Sequence, residues 1–104
     1  MQLKHSAIIF YCPDDVDGGA ARAKLLARYI EERGMNVRLI NKLGGLECVM
    51  AVGRHKVVRT PCLLFVSGKR DRVVARIPRI PALAEVDSLI ETLEPNLATE
   101  TTTR

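Results

Sequence analysis

The sequence predicts an α/β domain that opens with a strand–helix–strand unit and closes with a strand hairpin and a last helix. Three observations carry this reading. Ala7–Cys12 is an unbroken apolar run, the pattern of a central strand covered on both faces. An amphipathic helical segment and a second short strand follow with short links, the order of a right-handed βαβ unit with parallel strands. Thr60-Pro61 then opens the apolar run Cys62-Leu63-Leu64-Phe65-Val66, closed by Ser67-Gly68, and Arg72–Ile77 follows directly as a hairpin partner.

Taken in order, the first strand gives way to Pro13-Asp14-Asp15-Val16-Asp17-Gly18-Gly19, a loop by composition. Asp17 is placed to cap a helix, since its carboxylate can accept from the free N–H groups of the first turn. The helix is expected over Gly19–Arg33, with Ala23, Leu26, Ala27 and Ile30 on one face and Gly34 ending it. Asn36–Asn41 alternates briefly and reads as the second strand. After Gly44-Gly45, the apolar residues Leu46, Val49, Met50, Gly53 and Val57 suggest a second helix, weakened by Gly53 and the β-branched Val57-Val58. Proline lacks the N–H a sheet ladder needs, so Pro61 belongs at the first residue of a strand. An X-Pro peptide is also the one type that can be cis at modest cost. Pro78 and Pro81 bracket an extended link. Leu83, Val86, Leu89, Ile90 and Leu93 line one face of a final helix that Pro95 stops. The reading is one domain over residues 1–95 and a solvated tail over 96–104.

Length and composition narrow the function classes. At 104 residues the chain can bury a core without disulfides. An aromatic share of 4% with no tryptophan argues against a stacking platform for nucleic acid. No apolar run approaches the roughly 20 residues of a membrane helix. The apolar start is too brief for a signal peptide, so a cytoplasmic protein is expected. Three cysteines without metal-ligand spacing fit a reducing compartment, and no metal site is expected from the isolated His5 and His55. No Walker-type or dinucleotide fingerprint is present, and no cofactor is expected. The net charge of +4 is unevenly spread: residues 54–79 hold eight basic residues against Asp71 alone, whereas 80–104 hold five acidic residues against Arg104.

The order βαβ–α–ββ–α, with Thr60-Pro61-Cys62-Leu63-Leu64-Phe65 ahead of the hairpin turn Ser67–Arg72, resembles the thioredoxin/glutaredoxin superfamily over about Ala7 to Leu93. The resemblance implies a four-stranded mixed sheet with helices on both faces and a cis Pro61. It also implies a site at the start of the first helix, where such proteins carry a Cys-x-x-Cys or a single cysteine. There the helix dipole and free N–H groups make an attacking thiolate. This sequence departs from the family there, with Val16-Asp17-Gly18-Gly19-Ala20 and no cysteine. The glycine pair that glutaredoxins carry before the last helix is replaced by Ile77-Pro78-Arg79-Ile80-Pro81. Both departures count against ordinary dithiol exchange and ordinary glutathione binding.

Candidate sites follow from the residues and from this resemblance. Cys12 and Cys62 would meet at the family's active edge if the resemblance holds; the plainer reading is two small buried hydrophobes. Asp17-Gly18-Gly19 could cradle an anion at a helix start, yet Asp14, Asp15 and Asp17 would repel a phosphate, and a capped loop explains the glycines. Arg54, Lys56, Arg59, Lys69, Arg70, Arg72, Arg76 and Arg79 could form a basic surface for an acidic protein or a nucleic acid, or could simply be solvated and protect a sheet edge.

Three functions are therefore expected in order. The first is a non-catalytic binding or regulatory module for an acidic protein partner. Its contact edge would be loop 12–19, Thr60-Pro61 and the link 77–81. The second is an atypical thiol-disulfide oxidoreductase using Cys12, Cys62 or both. The third is a nucleic-acid-binding accessory protein using the segment 54–79.

Overall fold

The computed structural model describes residues 5–14, 19–57, 59–67 and 72–94. Its elements run β1 (His5–Tyr11), α1 (Gly19–Glu31), β2 (Asn36–Asn41), α2 (Leu46–Arg54), β3 (Cys62–Ser67), β4 (Arg72–Ile77) and α3 (Leu83–Leu93). The strands form one mixed sheet in the order β2-β1-β3-β4. β1 is parallel to β2 and antiparallel to β3, and β3 is antiparallel to β4. The two unbroken apolar runs are the two inner strands. Ala7–Phe10 and Leu63–Val66 are all fully buried, because each has a partner strand on both sides and helices over both faces.

Side-chain alternation divides these strands between two cores. Ala7, Ile9, Leu63 and Phe65 face α1 and α3, packing with Ala23, Leu26, Ile30, Val86 and Ile90. Ile8, Phe10, Cys62, Leu64 and Val66 face the other way, with Ile40 and Val57 and the flank of α2. Between Phe65 and Val66 the β3–β4 register shifts, so Phe65 pairs with Ala75 and Val66 with Val73. Val74, the extra residue of this bulge, is an exposed one.

Three details differ from the sequence expectation. α1 stops at Glu31 rather than Arg33, and the chain turns through Gly34 at φ +88°, a conformation that glycine adopts without a Cβ penalty. α2 ends at Arg54, short of Val57, and its apolar stripe faces outward. Leu46, Val49 and Met50 are 74%, 54% and 54% exposed, while Cys48, Ala51 and Val52 turn toward the sheet. Val57 lies beyond that helix and is buried. On α3 the expected apolar face holds at Val86 and Ile90, but Leu83 in the first turn is half exposed. The capping role of Asp17, the hairpin turn at Gly68, the stop at Pro95 and the tail 96–104 lie outside the described residues.

Polar contacts fasten the helices. Tyr29 Oη donates to Asp87 Oδ2 at 2.8 Å and Arg33 Nε donates to Asp87 Oδ1 at 2.8 Å, tying α1 to α3. The end of α3 is fastened to the start of β1. Buried Glu94 accepts from the His5 backbone N–H at 2.9 Å, and its Oε2 lies 2.6 Å from His5 Nδ1.

Candidate binding edge at the cis-proline

The C-terminal end of β1, the start of β3 and the end of β4 meet at one edge of the sheet, because Phe10 pairs with Cys62 and Leu63 with Ile77. The connections leaving this edge are those the sequence marks out: Cys12 after β1, Thr60-Pro61 before β3, and Pro78-Arg79 after β4. The Thr60–Pro61 peptide bond is cis, and both residues are half-buried. Cys12 stands two residues past Phe10, the register partner of Cys62, so both cysteines belong to this edge. Cys12, Cys48 and Cys62 are all outside any disulfide.

Cys62 is 3% exposed. Burial pushes its thiol up, since the thiolate loses hydration, and the positive charge and hydrogen bonding of Arg76 oppose that rise without reversing it. Arg76 pairs with Leu64 in the ladder, and its guanidinium reaches the end of α2, where it donates to His55 O at 2.8 Å and to Lys56 O at 3.5 Å. These carbonyls belong to a helix stop built from two reverse bonds. Val57 N–H donates to Val52 O at 3.0 Å and Lys56 N–H to Gly53 O at 3.2 Å, with Lys56 at φ +54° in the place a glycine usually takes. The buried His55 ring meets Phe10 edge-on, centroids 5.8 Å apart. Phe10 on β1 and Arg76 on β4 therefore hold the end of α2 against the sheet, and Arg76 also acts on the Cys62 thiol at the start of β3.

The sequence-derived site residues fall into separate groups. Cys12, Cys62, Thr60 and Pro61 come together at the edge. Gly19 begins α1 and is buried, whereas Asp17 and Gly18 lie outside the described residues. Of the basic residues, Arg54, Lys56 and Arg76 gather at the end of α2, and Arg59 is exposed just before the cis-proline. Arg79 lies toward α3, where it binds Glu85 through two bonds of 2.9 and 2.6 Å and holds that carboxyl below its usual range. Arg72 pairs with Ser67 at the opposite end of β3 from Cys62, about 17 Å away at strand rise. Lys69 and Arg70 lie outside the described residues.

Beside the edge runs a groove that sequence reasoning missed. It encloses about 470 Å³ between α1 and the start of α3; Leu25, Leu26, Tyr29, Ile80, Pro81 and Leu83 form its apolar part, with Arg22, Arg28 and Glu32 also lining it. Leu25 and Leu83 are 67% and 50% exposed. One sequence signal was present: Leu25 stands among Arg22, Lys24 and Arg28 on the polar side of α1. Among the described residues, no group of three or more histidine, cysteine or acidic side chains is placed to hold a metal ion. No described helix is long and apolar enough to cross a membrane.

No protein-family model and no curated protein sequence matches the chain. Solved structures do. A mutant thioredoxin from Halobacterium salinarum NRC-1 superposes with a TM-score of 0.65 at 14% identity, over 88% of this chain and 75% of that one. Thioredoxin O2 from Arabidopsis thaliana, in its oxidized state, gives 0.64 at 19% identity over 86% and 75%. A malarial protein gives 0.63 at 8% identity over 88% and 98%. What is common at these identities is the backbone architecture, with its mixed sheet and helices on both faces: the chain has a thioredoxin-like fold.

Proposed function

We propose that the protein is a non-catalytic thioredoxin-like binding module, and that it contacts an acidic protein partner at the edge formed by Cys12, Thr60-Pro61 and the link after β4. The observation that carries this reading is the groove beside that edge, where Leu25, Ile80 and Leu83 offer apolar surface and Arg22 and Arg28 line the same walls. Such an apolar cleft with a few charged groups suits recognition. The chemistry of exchange has little support at the same place. No cysteine stands between Pro13 and Ala20, and the buried Cys62 holds its proton at neutral pH.

Two measurements test the proposal together. With dithiothreitol as reductant, the protein should not accelerate reduction of insulin disulfides. An isotope-labelled sample titrated with a glutamate-rich peptide containing leucines should show shifts at Ile80 and Leu83, and R22E/R28E should weaken binding by about tenfold. Catalysed insulin reduction, or shifts that avoid the groove, would reject the module reading. The oxidoreductase alternative is favoured by one observation, the placement of Cys12 and Cys62 at a common edge. It requires one thiol to react with a disulfide reporter near neutral pH.

A further inference from the structure

Lys56 sits at φ +54°, where a glycine would serve the helix stop without a Cβ penalty. That stop uses the lysine backbone and leaves its side chain idle. The residue is exposed and, among the described residues, its ammonium makes no hydrogen bond or ion pair. A cation kept on a strained backbone, with nothing in the described fold to bind, points to a use outside it. The neighbouring charges have the same sign. Arg54 ends α2 and Arg59 stands just before the cis-proline; both are exposed and unpaired among the described residues. Arg76 adds a fourth charge at the same place, since its guanidinium donates to Lys56 O and His55 O, and neutral carbonyls leave that charge in place. Chain length bounds the cluster, because Arg54 and Arg59 can be at most about 18 Å apart. The dipole at the end of α2 accounts for one or two cations. It does not require four, nor one on a left-handed backbone.

We infer that Lys56 is a charge anchor for the acidic partner: with Arg54, Arg59 and Arg76 it receives a run of carboxylates on the segment that crosses the cis-proline edge. This rests on the reading of an acidic partner at that edge, and Arg59, next to Thr60, joins the two surfaces. Charge narrows the occupant. A second copy is a poor match. On its acidic helix α3, Glu85 and Asp87 are already held by Arg79 and Arg33, and beyond it Glu94 is held by His5, which leaves Glu91 alone on that helix. Glu31 and Glu32 are interleaved with Arg28 and Arg33. Near a two-fold axis the four cations would meet their own copies. A nucleic acid fits less well again. Four cations neutralise fewer phosphates than the roughly six to ten of ordinary duplex binding, and both phenylalanines are buried, out of reach of bases.

The test uses the whole chain and a synthetic peptide in which leucines are followed by a run of glutamates, with the glutamine analogue as control. The glutamate peptide should bind about tenfold more tightly than the analogue at low salt, and the difference should shrink as salt rises. Lys56→Gly should raise the urea midpoint and at the same time weaken the peptide by about threefold or more. A purely structural lysine would move stability and affinity together, or leave affinity alone. Lys56→Gln, which removes the charge without changing the need for a left-handed side chain, should weaken binding as much. R54E/R59E should weaken it by about tenfold or more, and the peptide's amide shifts should include Lys56 and Arg59. Wild-type affinity in both Lys56 variants would overturn the inference. So would tighter binding of a duplex oligonucleotide than of the peptide, or a dimer that R54E/R59E abolishes. If R22E/R28E weakens binding and the Lys56 variants do not, the anchor is wrong and the module reading stands. If the Lys56 variants weaken binding while shifts avoid Ile80 and Leu83, the groove is wrong and the anchor stands. No binding at about 1 mM would overturn both.

Discussion

Lys56 shows how a residue can occupy a position that its chemistry disfavours. At φ +54° its Cβ crowds the backbone, a cost of roughly 1–2 kcal/mol for an L-residue, yet the two reverse hydrogen bonds and the buried Val57 hold it there. Lys56→Gly should therefore stabilise the protein by up to about 1 kcal/mol in urea unfolding, the gain being trimmed by the greater unfolded-state freedom of glycine. A loss of stability would show that the lysine side chain contributes more than its backbone costs. Arg76 acts on two groups at once, the carbonyls ending α2 and the thiol of Cys62. Arg76→Gln should lower stability by about 1 kcal/mol and push the Cys62 thiol further up, read as slower thiol modification at alkaline pH. Because Cys62 in the fold sits above its unfolded value, the unfolded chain releases the proton first. Its stabilising contribution is complete below the unfolded thiol range and falls as pH rises through the folded value. Cys62→Ser should flatten that part of the alkaline stability curve.

At the scale of elements, α3 is attached by polar contacts at both ends as well as by Val86 and Ile90. Asp87 is held below the usual carboxylate range, first by the Tyr29 hydroxyl and then by Arg33. A depressed folded value means stability present above the unfolded carboxylate range and lost as pH falls through the folded one. Asp87→Asn should thus lower the urea midpoint at neutral pH, with the difference from wild type shrinking as pH falls through the folded value of Asp87. A difference that persists in acid would assign the effect to packing. At the other end, Glu94→Ala strips the His5 N–H of its acceptor in a buried place and should cost about 1–3 kcal/mol. Amide exchange should then speed up at both His5 and the last turn of α3. In the β2–α2 turn, a Cβ on Gly44 would lie 2.7 Å from Cys48 Sγ and 3.0 Å from Asn41 O. Gly44→Ala must therefore turn the Cys48 thiol aside and ease the Asn41 carbonyl back by a few tenths of an ångström.

Over the whole molecule, the sheet separates two cores of unequal closure. The α1–α3 side is sealed by two helices, while the other side is covered by one short helix with its apolar ridge outward. Phe65→Ala on the sealed side should cost about 3–5 kcal/mol, a large part of the 5–15 kcal/mol that holds an ordinary domain together. Its heat or urea midpoint should drop accordingly. L46Q/M50Q on the open side should leave it unchanged, because those side chains are exposed and glutamine keeps helix propensity.

Much of the architecture was legible because it rests on local rules. Unbroken apolar runs identified the two inner strands, periodicity identified α1, and Thr60-Pro61 marked the start of β3 and, with it, the edge where β1, β3 and β4 meet. The same local signals identified α2 as a helix but carried it on to Val57, and period alone cannot say which side of a helix has a sheet beneath it. The apolar stripe of Leu46, Val49 and Met50 faces water, and the flank of Cys48, Ala51 and Val52 meets the sheet. The groove likewise needed α1 and the start of α3 side by side, residues more than fifty positions apart in the chain. The sequence by itself determined the elements, their order, and the absence of a cysteine between Pro13 and Ala20. Only the tertiary structure decided which arginines meet, which leucines face water and how Arg76 comes to hold the end of α2, because those outcomes depend on strand register and helix placement rather than on any residue's own preference.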